Sequence, residues 1–152
     1  MEDRIKIIFN PKQEFQFDIM EIGVKQHIDR SYTYDIIPTE ILGGTLLQNV
    51  HRLEKGTQIA FSCNEKCIVY FMFHSTVDGG YSETFENLKG WERCENYPKY
   101  DIKNPNGHGL TMVMYRTKIL ANEQINIPPT EKEKACCNIV FKFKTPSSLN
   151  IS

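Results

Sequence analysis

The sequence has no excess of charge of either sign and no long apolar run. Its 152 residues carry 18 basic and 19 acidic side chains, which leave a formal net charge of −1 at pH 7. Nucleic-acid-binding domains usually carry a strongly basic surface, so a nucleic-acid partner is disfavoured. The longest apolar runs, such as residues 67–73, have about seven residues, whereas a membrane-spanning helix needs about 20. We therefore expect no nucleic-acid binding and no membrane insertion.

The N-terminus also lacks the pattern of a secretory signal. Residues 1–4 contain no basic stretch followed by an apolar region, and Lys6 interrupts the nearest apolar candidate. This predicts a cytoplasmic protein. Five cysteines are an odd number and too few for a dense disulfide scaffold, as expected of a reduced intracellular domain.

Recognisable catalytic and cofactor-binding motifs are absent as well. No G-x-S-x-G is present, and the glycine pairs lack the Lys-Ser/Thr of a phosphate loop. Four histidines, which show neither an H-x-H nor an H-E-x-x-H spacing, are interpreted as structural or solvated: His27, His51, His74 and His108. A Cys–His pair assembled from distant positions would leave no local signature. We predict a protein that is not an enzyme and uses no metal and no cofactor.

Alternation of apolar and polar residues is the main pattern that is present. Phe15, Phe17 and Ile19 alternate with polar residues, which places them on one buried face of a strand. Residues 67–73 are instead continuously apolar, as expected for a central strand covered on both faces. With the turn signals between them, such runs predict eight or nine strands. These are residues 4–9, 14–20, 31–37, 45–52, 57–63, 67–74, 110–118, 124–127 and 137–144.

Many short strands with little helix predict an all-β fold, specifically an antiparallel β-sandwich of jelly-roll type. Residues 20–27 and 84–89 are long enough only for single helical turns. A chain of this length can bury a substantial core as one domain. We expect residues 1–145 to form that domain and residues 146–152 to form a flexible C-terminal tail.

The connection that follows the predicted central strand is much longer than usual. More than thirty residues separate it from the next predicted strand, against about 4–6 in most connections, and long ordered connections tend to be functional. The only tryptophan, Trp91, lies there. Its ring would either anchor a partner at the surface or cap the open end of the sandwich, and burial is slightly favoured. The candidate binding residues of this segment are Trp91, Tyr81, Tyr97, Tyr100, Asp78 and His108.

Two cysteines flank a three-residue turn. Cys63 and Cys67 would face each other across a hairpin, within reach of a disulfide. We interpret them as small apolar residues at strand ends, because the predicted compartment is reducing. The alternatives are a disulfide between them or a zinc site that also uses Cys136 and Cys137. Zinc is the weaker alternative, because two adjacent residues of a strand point to opposite faces.

A series of short landmarks follows between residues 29 and 143. They are Arg30-Ser31-Tyr32, Ile37-Pro38, Leu42-Gly43-Gly44, Val69-Tyr70, Gly90-Trp91, Tyr115-Arg116 and Ile127-Pro128. Their order resembles that of jelly-roll, galactose-binding-like β-sandwich modules of the kind attached to polysaccharide-acting enzymes. The resemblance implies the sandwich fold more than it implies carbohydrate binding.

Three functions follow from these observations. The first is a non-enzymatic interaction module that engages a protein partner or serves as a subunit of a larger assembly. The second is carbohydrate recognition through Trp91, Tyr81 and Tyr97 on one edge of the sandwich. The third, which has the least support, is a hydrolase or metal-dependent enzyme with a site between the sheets.

Overall fold

The computed structural model describes residues 2–75, 78–94, 102–103 and 112–145. Within these ranges the chain forms eleven strands and the short helix α1 (Tyr81–Glu86). The strands are β1 (Ile5–Asn10), β2 (Gln16–Ile19), β3 (Thr33–Tyr34), β4 (Thr45–Gln48), β5 (Gln58–Cys63), β6 (Cys67–His74), β7 (Glu92–Arg93), β8 (Ile102–Lys103), β9 (Met112–Ile119), β10 (Ile125–Ile127) and β11 (Cys137–Lys142). The all-β prediction is confirmed. The predicted tail, residues 146–152, lies outside the described residues.

Two main antiparallel sheets form the sandwich. The larger has six strands in the order β2-β4-β11-β6-β9-β7, the smaller has three in the order β1-β5-β10, and β3 pairs with β8. Strand β6 lies inside the larger sheet, where Phe71 is opposite Ile139 of β11 and Tyr115 of β9. This arrangement confirms the predicted antiparallel sandwich.

The main core lies between the two sheets. Phe61 of β5 packs edge-on against Phe141 of β11, with 5.4 Å between the ring centroids. Phe71 and Phe73 of β6 point into the same core, as do other residues at odd positions of that strand. Helix α1 closes one side of the core, since the ring of its Phe85 stacks on Phe71 at 4.5 Å.

The opposite face of the larger sheet is buried as well. Tyr70 and Met72 of β6 point away from the main core and belong to a second apolar cluster with Val140 of β11. The connection from β2 to β4, residues 20–44, covers this face and is called the covering segment. Its residues in the second cluster are Met20, Val24, Tyr34 and Ile41. Strand β6 is therefore buried on both faces, as its continuous apolar sequence predicts.

Hydrogen bonds tie the covering segment to β11. The buried side chain of Asn138 donates through Nδ2 to the carbonyl of Gln26 at 2.9 Å and accepts from the Tyr34 hydroxyl at 2.5 Å. The segment returns to the sheet at Gly44, where a Cβ would lie 2.7 Å from Cγ1 of Val140. Only glycine permits this close approach.

Each predicted strand overlaps an observed one, but two of the observed strands are at most half as long as predicted. The 31–37 prediction shrinks to the two residues of β3, because its backbone bonds to an earlier part of the covering segment itself, as from Tyr34 N to Val24 O at 3.0 Å. The 45–52 prediction shrinks to β4. The alternation pattern does not predict β7 and β8, which have only two residues each. No helix in the described ranges is long and apolar enough to cross a membrane.

We predict that Met72→Ala destabilises the protein by about 2–5 kcal/mol, the cost of truncating a fully buried side chain. Met72 is 0% exposed, and this burial depends on the covering segment. Leu120→Ala is the matched control, because Leu120 is 68% exposed and its truncation should change stability by less than about 0.5 kcal/mol. Urea unfolding measures both variants. Equal, small effects would show that the second face is not packed.

Candidate functional site

The loop that carries Trp91 is held firmly against β9. Gly90 has a φ of +88°, a left-handed conformation that favours glycine. The hydroxyl of Thr117 donates to the Gly90 carbonyl at 2.6 Å. Directly after Trp91, β7 pairs with β9, with Glu92 opposite Arg116. The indole is therefore attached to backbone that is fixed on both sides.

The indole of Trp91 is half-buried. Its ring meets Phe85 edge-on, with 5.2 Å between centroids, and Phe71 edge-on at 6.4 Å. These contacts attach it to the margin of the main core. Its contacts with Phe71 and Phe85 hold it to the core, while part of the side chain stays accessible.

A groove of about 840 Å³ opens beside Trp91 at the edge of the larger sheet. Loop 89–91, β6, β7, β9 and β10 all contribute to its walls. The residues that give it its chemical character are Trp91, Glu92, Arg116, Thr117, Lys118 and Glu123. It combines one aromatic surface with hydroxyl and charged groups of both signs.

Arg116 is the most constrained charge in the groove. Its guanidinium donates from Nε and Nη2 to Glu92 Oε1, at 2.9 and 2.5 Å, and from Nη1 to Glu40 Oε1 at 2.5 Å. The hydrogen bonds with Glu92 and then Glu40 raise the pKa of Arg116, so the group stays charged. Glu123 also has a local partner, since its Oε1 accepts from the Leu120 N–H at 3.0 Å. These contacts hold the side chains of Arg116, Glu92 and Glu123 in fixed positions.

The other predicted binding residues do not gather at this groove. Tyr81 is 1% exposed and packs on Phe71 with 4.9 Å between ring centroids, so its ring belongs to the core. Asp78 instead holds the turn before α1, where its Oδ1 accepts from the Gly80 N–H at 2.8 Å. Tyr97, Tyr100 and His108 lie outside the described residues.

The paired cysteines lie at one end of β6. The Sγ atoms of Cys63 and Cys67 are 3.7 Å apart, and both residues are buried free thiols. The hydrogen bond with Cys63, followed by burial, raises the pKa of the Cys67 thiol. Cys137 lies opposite Phe73, near the other end of the strand, and faces the main core. The four thiols that a shared zinc site would need therefore do not converge.

The structure brings together three other residues that no sequence motif connects. The ligand atoms of His27, His51 and Cys136 all lie within 4.8 Å of one another. The Cys136 Sγ is 3.4 Å from His27 Nε2, and His27 Nδ1 is 3.2 Å from the carbonyl of Asn49. They meet because β4 and β11 are antiparallel neighbours, so the end of one lies beside the start of the other. This cluster could be recognised in the sequence only if the pairing of β4 with β11 were already known.

Burial disfavours the charged forms of the residues in this cluster. It lowers the pKa of His27 to about 3 and that of the neighbouring His74 to about 4, and it also lowers the pKa of His51. Burial raises the pKa of the Cys136 thiol to about 12. A nucleophilic cysteine needs a lowered pKa, so His27 and Cys136 do not form an activated dyad. Two imidazoles and a thiol are, however, ligands suited to a transition metal.

Comparison with known proteins supports the fold. No protein-family model matches the chain, and no curated protein does. One similar solved structure is a beta-glucuronidase from glycoside hydrolase family 2, with a TM-score of 0.65 and 14% identity, covering 91% of this chain and 14% of that chain. Another is a GH138 enzyme targeting pectin rhamnogalacturonan II, with a TM-score of 0.59 and 14% identity, covering 96% of this chain and 17% of that chain.

This likeness concerns the fold alone, and the chain spans less than a fifth of the length of either enzyme. It confirms the resemblance to β-sandwich modules found with polysaccharide-acting enzymes.

The buried histidines lead to a prediction about acid stability. The folded-state pKa values of His27, about 3, and His74, about 4, lie below the ordinary value of 6.5. Between the folded-state pKa values and 6.5, the unfolded chain binds more protons than the folded protein. The free energy of unfolding therefore has its full value above pH 6.5 and falls as the pH is lowered. We expect a loss of about 1.4 kcal/mol per pH unit for each histidine.

Urea unfolding between pH 7 and 5, with a chelator present, measures this slope. His27→Gln removes one titrating group, so the slope should fall by about 1.4 kcal/mol per pH unit. A slope that His27→Gln leaves unchanged would contradict the prediction.

Proposed function

We propose that the protein is a non-enzymatic binding module that recognises carbohydrate through the groove beside Trp91. The observation that carries this proposal is the half-buried indole, held at the core by Phe71 and Phe85 beside a set of fixed polar groups. Sugar rings offer apolar C–H faces that stack on an indole and hydroxyl groups that need hydrogen-bond partners. The groove provides both kinds of contact.

Rigidity adds to the case for binding. An aromatic ring that is already packed loses little conformational freedom when a ligand stacks on it. Arg116 is likewise held by Glu92 and Glu40 before any ligand arrives. Small ligands are typically bound where a mainly apolar surface meets a few precisely placed polar groups. The groove satisfies this description at a sheet edge, the position expected for carbohydrate recognition.

Protein binding ranks first on the sequence alone, and it is the chemistry of the groove that favours carbohydrate instead. The names of the structural neighbours agree with this choice. These neighbours are a beta-glucuronidase and an enzyme that targets a pectin component. At 14% identity the similarity to these enzymes shows a shared fold only, so their activities are not assigned to this chain. A protein partner or a place in a larger assembly is the competing outcome.

A non-catalytic role accords with the chemistry of the described residues. Burial raises the pKa of the thiols of Cys94, to about 11, and of Cys136, to about 12, which disfavours the thiolate form that a nucleophile needs. The two carboxylates of the groove, Glu92 and Glu123, already have structural partners. The absence of an enzymatic activity, the cytoplasmic location and the 1–145 domain extent stay predictions.

We predict that Trp91→Ala weakens binding to a glycan identified on an array by at least about tenfold, because it removes the stacking surface. Isothermal titration calorimetry with that glycan measures the change. Phe15→Ala is the matched control: Phe15 is an aromatic residue that is 37% exposed and does not line the groove. Its removal should leave the affinity unchanged, and circular dichroism checks that both variants are folded.

Two results would overturn the carbohydrate proposal. One is a complete lack of glycan binding by folded wild-type protein on a broad array. The other is glycan binding that Trp91→Ala does not weaken. Capture of a specific protein partner that Trp91→Ala abolishes would instead support the interaction-module hypothesis.

A further inference from the structure

Three separate parts of the chain meet at the cluster of His27, His51 and Cys136. His27 belongs to the covering segment, His51 follows β4, and Cys136 directly precedes β11. The cluster lies near the end of β6, whereas the Trp91 groove includes Ile68 near its start. Six residues of strand separate the two ends by about 20 Å. This cluster is therefore distinct from the groove.

We propose that His27, His51 and Cys136 bind a zinc ion that links the covering segment to the sandwich. Zinc in proteins is held by imidazole nitrogen at about 2.0–2.1 Å and thiolate sulfur at about 2.3 Å, usually tetrahedrally. Such ligands lie about 3.3–3.6 Å apart. The 3.4 Å between Cys136 Sγ and His27 Nε2 already fits, and the third ligand atom lies within 4.8 Å of both.

The surroundings orient the ligands as in a metal site. The Asn49 carbonyl can only accept a hydrogen bond, so His27 Nδ1 carries the proton and donates at 3.2 Å. This leaves a lone pair on Nε2, the atom that faces Cys136. Metal-binding histidines typically donate their second nitrogen to such an acceptor. The backbone of His51 is fixed too, because its N–H donates to Asp29 Oδ1 at 2.8 Å.

Polar atoms without partners give independent support. The Nδ1 atom of His51 is buried and has no hydrogen-bond partner. The same holds for Nδ1 of His74, a residue that is 5% exposed. Proteins satisfy about nine in ten buried polar groups. A cation bound through Nδ1 of His51 would supply the missing interaction of that atom.

The donor set selects the class of metal. Calcium and magnesium require oxygen ligands, so two imidazoles and a thiol disfavour both. Nitrogen and thiolate ligands suit zinc and copper. A hydrogen bond from the Cys136 thiol to His27 would account for that pair alone, but it would leave His51 Nδ1 unexplained. Zinc binding releases the thiol proton to solvent and requires no redox partner.

The first test is zinc binding by the full chain after metal has been removed with a chelator. Equilibrium dialysis should give one zinc per chain. At a free zinc concentration about 100 times the Kd, the Tm should rise by about 5–10 °C, because the unfolded chain has no assembled site. Cys136→Ser and His51→Gln should each weaken zinc binding by at least about 100-fold, while Cys94→Ser and Trp91→Ala leave it unchanged.

Cobalt provides a second measurement that a purely structural role of these residues would not affect. Added Co²⁺ should give a thiolate-to-cobalt charge-transfer band in wild-type protein and in Cys94→Ser but not in Cys136→Ser. If Cys136→Ser does not fold, the wild-type spectrum and the half-buried His51→Gln variant still decide. No stoichiometric zinc, an unchanged affinity in folded Cys136→Ser or His51→Gln, or a cobalt adduct without the band would overturn the proposal. These results are independent of glycan binding.

Discussion

Strand β6 is buried on both faces, and much of the remaining structure follows from this constraint. Side chains at its odd positions fill the main core, while Tyr70 and Met72 need a second apolar layer. Sheets covered on both faces are usually parallel, and helices then supply the second layer. Here the covering segment supplies it, and it contains little regular structure.

An irregular layer has a cost that a helix does not. Its backbone N–H and C=O groups are buried without a ladder and must find partners one by one. Asn138 serves this purpose, since it bonds to both Gln26 and Tyr34 from the buried face of β11. The buried asparagine between the apolar residues of β11 is thus explained by the layer that it supports. The imidazole of His27 meets the Asn49 carbonyl in the same way.

The strands could be predicted because their cause is local. Alternation locates the strands that are buried on one face, and the continuous run of residues 67–73 locates the strand that is buried on both. The cluster of His27, His51 and Cys136 could not be predicted from the sequence, because it depends on β4 lying beside β11. His27 and His51 are 24 positions apart, and Cys136 is a further 85 positions along the chain, so no periodic pattern connects the three. The sequence does predict that Cys136 and Cys137 lie on opposite faces of the sheet, since the side chains of adjacent strand residues point in opposite directions.

Within the predicted aromatic segment the outcome differs from residue to residue for a physical reason. Tyr81 lies on helix α1, and that helix can pack only by burying one side, so Tyr81 and Phe85 enter the core. Trp91 follows the helix and reaches the sheet edge, where the core ends. Composition alone suggests that Tyr81 and Trp91 could both contact a ligand. Only the position of helix α1 shows which of the two is buried in the core.

The edge beside Trp91 also distinguishes between kinds of ligand. An extended peptide that adds a strand needs a long row of unpaired backbone groups. In the described part of the chain β7 has two residues, and both side chains, of Glu92 and Arg93, are exposed and charged. Such short, charged edges resist strand addition. Under the proposed function, recognition at this edge depends on side chains, namely the indole and the constrained charges around it. A ligand that presents ring faces and hydroxyl groups meets that requirement better than a peptide backbone.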